Sequence, residues 1–176
     1  MRKILGVLVA FFLIFTFTIQ PKITEAKVSY SWNPKKEYLY SNNRIMIFTE
    51  TNAKGIQGWG DWSYMNADDY SIIGYKESKN GLYQYPNFFK KNSSYIKLLS
   101  YPIKKGKKWS CGSNTCKYIS TKETVKTKAG TFKNVVVVLE ESKKVKQRKY
   151  YAPNVGLIMT RDYTNSSVKQ LVKISK

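Results

Sequence analysis

Few residues in this chain could do chemistry. No histidine occurs among its 176 residues, so the usual general base and nucleophile activator is missing. Serine and lysine can pair as nucleophile and base, but no local arrangement singles out such a pair. Paired carboxylates for glycoside chemistry would have to come from Glu50, Asp61, Asp68, Asp69 and Glu77. Asp61 stands inside Gly58-Trp59-Gly60-Asp61-Trp62, and a tryptophan-flanked carboxylate suits a sugar cleft. The plainer reading puts Trp59 and Trp62 on opposite faces, one in the core, with Asp61 in or near a turn. Asp68 and Asp69 follow Asn66-Ala67 and offer oxygen ligands for calcium, yet the same four residues make an ordinary loop. The expectation is a protein that is not an enzyme and needs no cofactor or metal ion.

Cys111 and Cys116 lie within WSCGSNTCKY. Gly, Ser and Asn between them read as a turn clamped by a disulfide in an oxidising compartment. A loop that short contributes about 2 kcal/mol at most. Zinc would need two further soft or imidazole ligands, and there is no third cysteine. A redox role would want Cys-x-x-Cys near a βαβ pattern, which is absent.

Charge is the unusual quantity. Residues 27–89 hold seven basic and six acidic side chains, net +1, whereas residues 90–176 hold 21 basic and four acidic, net +17. Such asymmetry points to an anionic partner met by one half of the fold. Lysine outnumbers arginine 27 to four, which weakens the case for a shaped phosphate site, because bidentate recognition belongs to arginine. The bland reading of the same charge is solubility.

The elements that must position these groups begin after a leader. Arg2 and Lys3 precede an uncharged apolar run over 4–19, and Thr24-Glu25-Ala26 offers a small-residue cleavage site. That layout predicts a signal peptide over 1–26 and a single domain over 27–176. The run is shorter than the roughly 20 residues that span a bilayer, so an uncleaved anchor is the second choice. No cysteine follows it to carry a lipid.

No segment of the remainder shows a helical period. Strands are predicted near 44–50, 59–65, 70–77, 81–85, 95–100, 116–127, 131–140, 144–152, 155–163 and 168–175, with tight turns such as Ser78-Lys79-Asn80-Gly81 and Lys128-Ala129-Gly130. This predicts an all-β fold, an antiparallel meander forming a curved sheet, sandwich or incomplete barrel. Room for one short helix remains near 84–95, and 27–43 reads as an extended arm or an edge strand. Because side chains alternate along a strand, Lys122, Thr124, Lys126 and Lys128 should share one face. Lys144, Lys146 and Arg148 should share another, as should Lys169 and Lys173. If these strands belong to one sheet, the stripes form one basic, anion-binding surface. The all-valine run 135–138 should be buried on both sides in a central strand.

Between Ser100 and Thr160 the chain resembles a group of secreted bacterial proteins and lipoproteins built on curved antiparallel sheets. The resemblance rests on Pro102 to Trp109 (P-hydrophobic-x-x-Gly-x-x-Trp), Ala129-Gly130-Thr131-Phe132-Lys133-Asn134 and Tyr150-Tyr151-Ala152-Pro153-Asn154-Val155-Gly156-Leu157. It covers about a third of the chain, implies a curved sheet, and carries no catalytic residues. The chain departs from the lipoproteins in lacking a lipid-attachment cysteine. Gly130 and Gly156 fit backbone positions of positive φ, while Trp109, Phe132, Tyr151 and Leu157 fit a core.

The functional expectation is a secreted, extracellular and wall-associated protein. Its lysine-rich half would bind an anionic polymer or membrane surface of the cell envelope, and no nucleic acid in vivo. The alternatives are a carrier or chaperone holding an apolar ligand inside the curved sheet, and a secreted effector or inhibitor that binds another protein.

Overall fold

The computed structural model describes residues 28–63, 69–90 and 94–176; the expected signal peptide and Asp68 lie outside them. Every regular element among them is a strand. The twelve are β1 (Glu37–Tyr40), β2 (Arg44–Thr51), β3 (Gln57–Ser63), β4 (Tyr70–Ser78), β5 (Gly81–Tyr85), β6 (Ile96–Ser100), β7 (Lys108–Cys111), β8 (Asn114–Thr127), β9 (Gly130–Glu141), β10 (Lys146–Ala152), β11 (Gly156–Asp162) and β12 (Val168–Ser175). No helix fills the space near 84–95, where the described residues hold the end of β5 and a turn at 88–89. The arm over 27–43 is no edge either: its β1 lies in mid-sheet, paired antiparallel with both β2 and β12.

The strand order is β6-β5-β4-β3-β2-β1-β12-β11-β10-β9-β8-β7, a single antiparallel sheet. The chain starts in the middle, meanders out to one edge, crosses, and meanders back from the other edge to its starting point. That path turns the charge asymmetry of the sequence into a spatial one. All the strands β7–β12 come from the basic stretch, and β1–β5 come from the near-neutral one.

Curvature brings the two edges, β6 and β7, together into a nearly closed barrel. Side chains seal the seam. The Tyr118 hydroxyl accepts from the Ser100 N–H at 2.8 Å and donates to the Ser100 carbonyl at 3.0 Å. Trp109 Nε1 donates to Lys97 O at 2.9 Å. The Lys107 ammonium donates to the carbonyls of Tyr101 (2.8 Å), Ser100 (3.2 Å) and Pro102 (3.3 Å) in the crossing loop. Edge backbone groups that would otherwise template another chain are thereby covered.

Rings fill the interior. Trp59, Tyr38, Tyr118 and Tyr151 are fully buried. Trp32 stacks in, its ring 4.6 Å from Tyr75 and 6.1 Å from Trp59 between centroids. The run Val135 to Val138 is buried on both faces of β9, as a strand flanked by β8 and β10 should be. Gly130 and Gly156 take φ of 139° and 91°. Buried hydroxyls still find partners: Tyr40 accepts from Trp32 Nε1 at 3.0 Å and donates to Leu157 O at 2.7 Å.

Burial pushes the hydroxyls of Tyr40, Tyr75, Tyr118 and Tyr151 well above the ordinary 10.0, because the phenolate would be desolvated. Above about pH 10 the unfolded chain therefore holds fewer protons than the folded one, and stability must fall as pH rises. The stabilisation is fully present below that pH. Phenolate absorbance should appear cooperatively, together with loss of near-ultraviolet dichroism. Independent ionisation of these rings in a still-folded protein would contradict the packing.

Candidate functional site

Three of the five carboxylates that suggested chemistry, Asp61, Asp69 and Glu77, are committed to structure. Trp59 and Trp62 do lie on opposite faces of β3, the first buried and the second exposed. Asp61, expected in or near a turn, instead sits within β3 on the inner face, opposite Met46. Arg44 clamps it: Nε donates to Asp61 Oδ1 at 2.9 Å, one terminal nitrogen to Asp61 O and the other to Asp69 Oδ2, each at 2.7 Å. Asp69 is thus an arginine partner rather than a free calcium ligand. Glu77 accepts from Ser29 Oγ at 2.6 Å, from the Tyr30 N–H at 3.2 Å and from the Tyr101 hydroxyl, pinning the arm before β1.

Cys111 and Cys116 form the disulfide, joining the short hairpin of β7 and β8. Beside it lies buried Glu140, which receives Asn114 Nδ2 at 2.5 Å, Gln147 Nε2 at 3.1 Å and the Lys149 ammonium at 2.6 Å. The two sulfurs and this carboxylate lie within 4.8 Å of one another, but bonded sulfurs are spent as metal ligands. Alkylation of the unreduced protein should label neither cysteine. Labelling of both would remove the bond and reopen a thiol function.

Register decides where the cations go. Lys122, Lys126, Lys128, Lys144, Lys146, Arg148, Lys169 and Lys173 are all exposed. They do not form one stripe. The β8–β9 register shifts three times between Tyr118 and Val125, which separates Lys122 from Lys126. Beyond the shifts Lys126 alternates with buried Val125 and Thr127. Lys128 caps the hairpin, whose tip folds back so that the Ala129 N–H reaches Leu171 O at 3.2 Å. Lys144 lies in the turn after β9 rather than in a strand. In β12 an extra residue falls between Lys173, paired with Leu39, and Leu171, paired with Tyr40. That bulge puts Lys169 on the inner side, in a cavity of about 200 Å³ with Arg44, Asp61 and Thr160, and Lys173 on the outer side.

What the register does assemble is a row on the outer face of the basic sheet. Lys117 pairs with Leu139, Leu139 with Arg148, and Arg148 with Arg161. Lys146 stands two residues along β10 on the same face, opposite Glu141, with its ammonium 3.5 Å from that carboxylate. Lys117 and Arg161 escaped the sequence reading because only strand pairing brings them beside Arg148. The alternation of β11 was the available signal. Arg148 and Arg161 face each other directly, neither in an ion pair among the described residues, and Arg148 lies 5.3 Å from the Tyr163 ring centroid. Like charges directly opposite across a ladder destabilise it.

No family model matches this chain, and no curated protein does. Two solved structures share its architecture. One is an exported-protein candidate with a YmcC-like fold from Bacteroides fragilis, with a TM-score of 0.53 at 12% identity over 82% of this chain and 97% of that one. The other is a lipoprotein candidate from Parabacteroides distasonis, with a TM-score of 0.50 at 13% identity over 80% of this chain and 92% of that one. At such identity the likeness defines the fold, a curved and nearly closed antiparallel sheet, and nothing about activity.

Proposed function

We propose that this is an exported, non-enzymatic β domain whose basic sheet binds a phosphate-bearing anionic surface of the cell envelope, wall polymer or lipid headgroups. One observation carries the reading: Arg148 and Arg161 oppose each other with no acid between them. A bound anion would turn that repulsion into shared attraction, and the guanidinium fork suits phosphate oxygens. Lys117 and Lys146 extend the row, and Lys143 and Lys144 stand at the adjoining turn. Export is supported by the signal-peptide pattern of residues 1–26 and by the disulfide. The absence of catalysis is supported by the structural commitment of Asp61, Asp69 and Glu77. The carrier alternative is disfavoured because rings fill the barrel and leave only cavities of about 200 and 370 Å³ beside Trp32 and Tyr75 among the described residues.

Binding through exposed charges is screened beyond roughly 8 Å at physiological salt. Protein added to isolated cell envelopes should therefore be retained at low salt and released as salt rises. Retention indifferent to salt would contradict the proposal.

A further inference from the structure

We propose a second binding site on the near-neutral sheet, a groove on the outer face of β4 and β5 that takes a single-chain anionic amphiphile of the lysophospholipid type. It lies outside the basic row and does not depend on it. Tyr85, Phe88 and Phe89 form its apolar walls, and Lys54, Lys76 and Lys90 stand around it with no carboxylate among the described lining residues. Its volume of about 480 Å³ falls in the range of small-molecule pockets, roughly 300–1,000 Å³. Apolar walls fit an alkyl chain, and the cations fit one phosphate at its end.

The wall is built into the sheet. Phe88, buried, lies across two glycines of neighbouring strands. A Cβ at Gly58 would come 2.9 Å from the Phe88 ring, and one at Gly74 would come 3.1 Å from it and 2.7 Å from Ile56 Cγ2. Any side chain at either place would force the Phe88 ring or its neighbours Thr49 and Ile56 to shift. Phe89, next in sequence, is 73% exposed, its ring 5.1 Å from that of Phe88. An anchored ring thus presents an unanchored one beside the groove, an arrangement that core packing does not require. Lys76 donates its ammonium proton to Lys54 O, which fixes that cation at the turn bordering the groove.

The test is calorimetric titration of the mature chain with lauroyl lysophosphatidylglycerol below its micelle threshold, with glycerol phosphate as the chainless control. In the wild type, and equally with Lys117, Arg148 and Arg161 replaced by glutamine, the lipid should bind saturably at one groove site, and glycerol phosphate should not displace it. Phe89→Ser, at an exposed position, should weaken binding about tenfold, as should the pair Lys76→Gln and Lys90→Gln. Replacing Lys117, Arg148 and Arg161 by glutamine should leave lipid affinity unchanged, so failure of this site and failure of the basic row read out separately. No saturable binding by the folded wild type would overturn the proposal. So would affinity unchanged in Phe89→Ser, or affinity lost only when the basic row is removed.

Discussion

Gly81→Ala is expected to destabilise the domain by at least ~3 kcal/mol, enough to unfold much of it at ordinary temperature. Gly81 opens β5 with φ of 150°, and a Cβ there would lie 2.0 Å from Leu99 O and 3.1 Å from Leu99 C. The obstacle is backbone, which cannot rotate aside as a side chain can. Moving it would separate β6 from β5, where Gly81 pairs with Ser100 and Leu82 with Leu99. Both leucines are fully buried, and Ser100 holds the seam through Tyr118, so the displacement would open the core and the barrel closure together. Gly130 is the control. It follows another two-residue turn with a similar φ of 139°, but nothing lies within 4 Å of its added Cβ. Gly130→Ala should cost only backbone strain, about 1–2 kcal/mol. Urea unfolding of both variants checks the order. Equal costs would show that β6 does not press against this turn.

Lys149→Met should cost about 2–3 kcal/mol, unlike replacement of any exposed lysine in the basic half. The Glu140 side chain is only 10% exposed and its ion-pair partner Lys149 21%. Removing the ammonium leaves a carboxylate in the interior with Asn114 and Gln147 as its remaining donors. An uncompensated buried charge is costlier than the pair was stabilising. Adding Glu140→Gln to Lys149→Met should therefore restore part of the loss. A double variant less stable than the sum of the two single ones would contradict this account. Lys126→Gln, by contrast, should fall within about 0.5 kcal/mol of wild type.

Local pattern carried most of the strand map, because strands here are bounded by tight turns whose residues announce themselves. Predicted 81–85 and 168–175 match β5 and β12. Longer-range facts were out of reach. Nothing local in Glu37–Tyr40 says that this short strand joins the first and last parts of the chain, since that depends on a partner more than 130 residues away, Ile174 opposite Tyr38. β7, four residues long, carries too little alternation to declare itself. The basic surface was legible as charge but not as geometry. Alternation assumes an unbroken ladder, and each bulge in β8 or β12 resets the parity by one residue. Hence Lys169 turned inward, while Lys117 and Arg161 joined a row their own strands did not advertise. Asp61 was misplaced for a related reason: glycine and aspartate around Trp59 look like a turn, yet the glycines leave room for Phe88 and Trp62 on a continuous strand.

On the proposed function, the opposed arginines of β10 and β11 hold an anion. The most direct measurement compares envelope retention across a salt series for the wild type, for Arg148→Gln with Arg161→Gln, and for a charge-matched control, Lys35→Gln with Lys79→Gln. Each phosphate contact adds about one unit or less to the slope of log affinity against log salt. The arginine pair should flatten that slope by nearly two units and leave unfolding free energy unchanged or slightly raised, because a like-charge pair has been relieved. The control should alter the slope little. If the two double variants lower retention equally, the charge acts through its total alone and the arginine row is no site.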